Sequence, residues 1–144
     1  MRLHPRNTTI RLLSAAALLG GLGMAVPGVA QESNGAVQTS AVRGVTVKVT
    51  PGSLAAEAVV WTFAVVLDTH SEDLGDDLMN IAVLVADDGR QFKPRSWTGA
   101  PAGGHHREGT LEFAAIKPAP KAVELKMHRP GEAEPRSFRW TVPQ

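Results

Sequence analysis

A chain of 144 residues with 15 Lys and Arg, 14 Asp and Glu and no cysteine carries a formal charge of only +1. That balance excludes the clustered basic charge on which nucleic-acid binding rests, and the lack of cysteine excludes a disulfide framework. Stability has to come from a packed core, which a domain of roughly 100 residues can supply unaided.

Residues 1–30 read as an export signal. Arg2, Arg6 and Arg11 form a basic front, and the uncharged apolar stretch LLSAAALLGGLGMAV follows. Gly28-Val29-Ala30 presents the small residues a signal peptidase reads, so cleavage is expected after Ala30, with a cut after Ala25 as the alternative. The apolar run is shorter than the roughly 20 residues of a spanning helix and is interrupted by glycines, which favours cleavage over retention as an anchor. Removing this segment takes away three of the 15 basic residues and none of the 14 acidic ones, leaving a net −2. The expected product is periplasmic or secreted, with no membrane attachment once the signal is gone.

Residues 31–42, QESNGAVQTSAV, are small and polar without an apolar period, and read as a flexible lead-in. The expected domain spans residues 43–144, where apolar residues recur at period two, the mark of strands with one buried face. Val45, Val47 and Val49 define a first strand. In VVWTFAVVLD, Trp61, Phe63, Val65 and Leu67 share one face of a long second strand, and apolar residues on both faces predict a central place. Leu78 to Ala86 carries Ile81, Val83 and Val85 as the third strand, and Asp87-Asp88-Gly89 is a hairpin turn with Gly89 at positive φ. Arg90 to Trp97 returns as the fourth, placed at an edge because Pro94 cannot donate to a ladder. Leu111, Phe113 and Ala115, then Val123, Leu125 and Met127, then Phe138, Trp140 and Val142 give the last three. Seven strands separated by turn signals predict an all-β, immunoglobulin-like antiparallel β-sandwich without a disulfide. Only Leu74 to Asn80 has room for a helical turn, capped by Ser71 or Asp73.

Alternating strands would put the second, fourth and sixth connections at one end. These are DTHSEDLGDD, TGAPAGGHHREG and HRPGEAEP, and they hold or adjoin His70, His105, His106 and His128, the only histidines after residue 30. Imidazoles without thiolates suit copper or zinc, with a carboxylate as ligand or as orienter of a ring. Asp68 and His70, two residues apart, would leave a strand end on one face. Gly103 and Gly104 permit backbone angles that let His105 and His106 converge. The candidate metal ligands are therefore His70, His105, His106 and Asp68, with His128, Glu108 and Glu132 in reserve.

Other chemistries fit less well. The acidic run from Asp68 to Asp77 lacks the spacing of a calcium loop. Asp68, His70 and Ser71 supply the residue types of a hydrolase triad, but adjacent residues diverge and cannot line up as orienter, base and nucleophile. No nucleophile elbow, phosphate loop or zinc-protease helix motif is present, so no catalysis is expected. The alternative to a metal site is a binding module that uses Trp97, beside the Gly-rich connection, as a platform for a glycan or a partner protein. A scaffold without a small ligand is the third reading.

The stretches VVLDTHSEDL, PRSWTGAPAGGHHREGTLEF and SFRWTV resemble a group of small exported bacterial proteins whose activity is not established, over most of residues 44 to 142. The resemblance implies a periplasmic or secreted β-sandwich and carries over no site residue. A looser similarity is to periplasmic copper carriers of the sandwich type. The present chain departs from them in having no histidine between residues 31 and 69 and, after residue 30, only Met79 and Met127 as methionines.

Overall fold

The computed structural model describes residues 35–144; the expected signal segment, its cleavage site and the start of the lead-in lie outside them. In chain order the elements are β1 (Gln38–Val42), β2 (Val45–Pro51), β3 (Val60–Thr69), the single helical turn α1 (Leu78–Ile81), β4 (Ala82–Ala86), β5 (Gln91–Phe92), β6 (Ser96–Gly99), β7 (His106–Ala114), β8 (Ala122–Met127) and β9 (Arg136–Thr141). They form a five-stranded sheet, β1-β2-β3-β7-β6, and a four-stranded sheet, β5-β4-β8-β9. Every pairing is antiparallel. With β1 set aside, the first sheet repeats the A-B-E-D order of an immunoglobulin domain and the second its C-F-G order with a short extra strand at the edge. The all-β sandwich is therefore as expected, and β3 is central as its two-sided apolar pattern requires.

Among the described residues nine strands replace the seven expected, for two physical reasons. Gln38–Val42, expected within a flexible lead-in, pairs along its whole length with β2. The hairpin between them turns on Arg43 and Gly44, at φ 50 and 79, the doubly positive geometry of a tight two-residue β-turn. The expected fourth strand is divided. Gln91–Phe92 pairs with β4 and Ser96–Gly99 pairs with β7, so the chain changes sheets across Pro94, and both pieces are edge strands.

The third expected strand is shorter and turned over. Asp77, rather than Ser71 or Asp73, caps α1 by accepting from Met79 N–H at 3.0 Å. In β4 it is Ala82, Leu84 and Ala86 that are buried, while Ile81, Val83 and Val85 are only half-buried. The Asp87-Asp88-Gly89 turn forms as expected, with Gly89 at φ 87 and Ala86 N–H donating to Arg90 O at 2.9 Å.

Val45, Val47, Val49, Trp61, Phe63, Val65 and Leu67 face Leu125, Phe138 and Trp140 across the core, all fully buried. Phe63 stands edge-on to Phe113 at 5.6 Å and lies 5.4 Å from Trp140. Both core indoles find carbonyls: Trp61 Nε1 donates to Ala55 O and Trp140 Nε1 to Ala36 O. Among the described residues no helix is long and apolar enough to cross a membrane.

Candidate functional site

The strand registers bring the three histidine-bearing connections to one end of the sandwich. Thr69 N–H donates to His105 O and Leu74 N–H to Gly104 O, each at 2.9 Å, so the connections after β3 and after β6 are bonded to each other. Gly103 and Gly104, at φ 112 and 76, make that possible: Gly103 N–H reaches Leu74 O at 2.9 Å and Gly104 N–H reaches Asp73 Oδ1 at 2.8 Å. The glycines thus dock the loop instead of converging the two rings.

Asp68 and His106 are directly opposed across β3 and β7, on the outer face of the five-stranded sheet. His106 Nδ1 lies 2.5 Å from Asp68 Oδ1, and its Nε2 lies 3.7 Å from Glu108 Oε2, two residues along on the same face. The Asp68 hydrogen bond holds the imidazole pKa above its ordinary value, with the charges of Asp68 and Glu108 adding to it against partial desolvation. All three side chains are substantially exposed, so this is an open surface arrangement. Two surface hollows, of about 270 and 590 Å³, are lined by residues other than these.

The remaining candidates are placed elsewhere or occupied. His70 and His105 are exposed and make no side-chain hydrogen bond or ion pair among the described residues. His128 Nε2 bonds to Glu132 O at 3.0 Å, and the Glu132 carboxylate is buried between two arginines. Among the described residues, no group of three or more His, Asp or Glu side chains is gathered closely enough to hold a metal ion. The expected convergence of His70, His105 and His106 does not form. Asp68 meets His106 alone, and Glu108, held in reserve, is the third group beside them.

Trp97 is half-buried. Its Nε1 donates to Ala100 O at 3.0 Å and its ring carries the Arg107 guanidinium 5.7 Å from the centroid. The ring covers the paired Gly99 and Gly109, where a Cβ on Gly109 would meet Gly99 Cα at 2.6 Å and Trp97 Cη2 at 2.7 Å. The platform expected at this position is thus largely packed against the protein itself.

Three buried arginines escaped the sequence reading, and they organise this end. Arg136 donates to Glu132 at 2.5 Å and to the carbonyls of Ser40, Val42 and Val45, fastening the β1–β2 hairpin to β9. Arg129 pairs with Asp76 at 2.5 Å and Glu132 at 3.3 Å, tying the connection after β3 to that after β8. Arg107 Nη1 donates to Leu74 O at 2.9 Å and Asp76 O at 2.7 Å, while its buried Nε has no partner. Burial would raise the Glu132 pKa, but the hydrogen bonds and charges of Arg136 and Arg129 prevail and lower it. A signal for all three was present: the inner rows Arg107–Gly109–Leu111–Phe113, Val123–Leu125–Met127–Arg129 and Arg136–Phe138–Trp140–Val142 each run at period two into an arginine.

Comparison of the chain with family models, with curated proteins and with solved structures finds no match.

Proposed function

We propose that the chain is an exported, non-catalytic β-sandwich domain that binds a divalent transition-metal ion, copper or zinc, with His106 and Glu108 as its protein ligands. The observation that carries this reading is the His106 ring itself, bonded to Asp68 through Nδ1 and turned with Nε2 towards Glu108. A carboxylate on one ring nitrogen fixes the tautomer and leaves the lone pair on the other free for a metal. Two ligands at about 2.1 Å from a tetrahedral ion lie about 3.4 Å apart. The 3.7 Å between Nε2 and Oε2 needs only a small adjustment to reach that span. Two protein donors leave further positions to water or to an incoming group.

The reading moves the site from the loops to the sheet and, of the two roles open to Asp68, ligand or orienter of a ring, takes the second. A glycan or partner-protein module built on Trp97 has less support, because the indole N–H and much of the ring are already engaged. Zinc titration by calorimetry at neutral pH tests the proposal. Binding should disappear in His106→Ala and weaken in Glu108→Gln, and persist in His70→Ala and His105→Ala. Unchanged binding in His106→Ala would overturn it, and no binding by the unsubstituted chain would leave the scaffold reading.

A further inference from the structure

Resting on the His106–Glu108 reading, we infer that the metal ion is shared: two copies of the chain stack the outer faces of their five-stranded sheets and supply two donors each. A structural zinc site takes four ligands, and one copy offers two. A twofold axis parallel to β7 brings His106 over His106 and Glu108 over Glu108, which doubles the set to four through one isologous contact.

The face suits this contact. Buried Trp61, Phe63, Val65 and Leu67 fix the inner side of β3, so its outer side is Val60, Thr62, Ala64, Val66 and Asp68. By the same registers, Thr110 of β7 stands beside Ala64 and Thr98 on that side. Short side chains let two sheets approach to the usual spacing of about 10 Å, which puts the midplane about 5 Å from each and within reach of His and Glu side chains.

Charge and area make the association depend on the ion. The outer sides of β3, β6 and β7 carry Asp68, Glu108 and Glu112 and no Lys or Arg, and on the neighbouring β2 Lys48 offsets only one of the three, so two such faces repel until a cation lies between them. Three strands about 14 Å wide and about 30 Å long cover about 400 Å² per copy, half of what a standard stable interface buries on each side. Packing alone would leave the chains apart.

Sedimentation of the purified full chain, with zinc and with chelator, reads the outcome directly. The expected result is the mass of one chain in chelator and twice that mass at one zinc per two chains. His106→Ala should remain single in both. Thr62→Arg, which places a long side chain on the outer side of β3 opposite Glu112 and two cross-strand pairs away from Glu108, should still bind zinc but remain single. Zinc binding one-to-one with no change in mass would overturn the sharing while leaving the single-chain site intact. Absence of zinc binding would overturn both, and doubling of Thr62→Arg as in the unsubstituted chain would show that another surface is used.

Discussion

Two sets of acid–base pairs stand at the same end of the sandwich and differ in nearly everything else. Arg129, Glu132 and Arg136 have at most 4% of their side chains exposed, and their bonds run to three different connections. Asp68 and His106 lie on the outer face at 44% and 57% exposure, and bond to each other and to nothing further inside the fold. The first set uses arginine, which stays charged at any pH the protein meets, and serves packing. The second uses histidine, whose charge changes near neutrality and whose second nitrogen remains open. Burial therefore separates the pair that builds the end from the pair that is available to a ligand.

The sharpest break of this contrast is Glu132→Gln. It leaves two buried guanidinium groups without their shared carboxylate, and loss of one partner of a buried pair costs about 3–5 kcal/mol. Urea unfolding measures it. Because the Glu132 pKa is lowered on folding, its contribution is present above the ordinary value of 4.5 and is lost as pH falls through the depressed value in the folded state. The variant should accordingly lose less further stability than the unsubstituted chain between pH 4.5 and strong acid.

Gly109→Ala forces a methyl into the Gly99–Gly109 contact beneath Trp97, where over-packing costs about 1–3 kcal/mol, and thermal unfolding should show the loss. Gln38→Ala removes one side chain that both donates to and accepts from the Arg139 backbone, a change of about 1 kcal/mol in urea unfolding. Asp68→Asn should move stability least and chemistry most. The His106 pKa, followed by NMR, should fall from its raised value towards 6.5. The sign follows from the raised folded value: the stabilisation by Asp68 is complete below 6.5, declines as pH rises through the folded pKa, and is absent in the variant.

The sandwich was legible because Trp61 to Leu67, Val123 to Met127 and Phe138 to Val142 alternate cleanly, and period two is enough to specify a buried face. β1 was not, because QTSAV buries little: it is held by the β2 ladder and by Arg136 rather than by apolar side chains. Ile81, Val83 and Val85 misled for the opposite reason, being larger than the small Ala82 and Ala86 that pack inward. At the site, chain direction alone brought the histidines to one end. What it could not supply was register, and register decides that Asp68 faces His106 while the bond opposite Thr69 goes to the backbone of His105.

The primary amide of Gln38 has one further consequence. It presents an N–H and a C=O side by side, as a single residue of an antiparallel strand does, and the Arg139 backbone on the outer edge of β9 bonds to both as though to one residue of a neighbouring strand. A real strand would offer its own far side to the next comer, and the sheet could grow from molecule to molecule. A side-chain amide has no far side of that kind. At this position pairing therefore stops, and sequence that carries no core residue protects the edge from adding another chain.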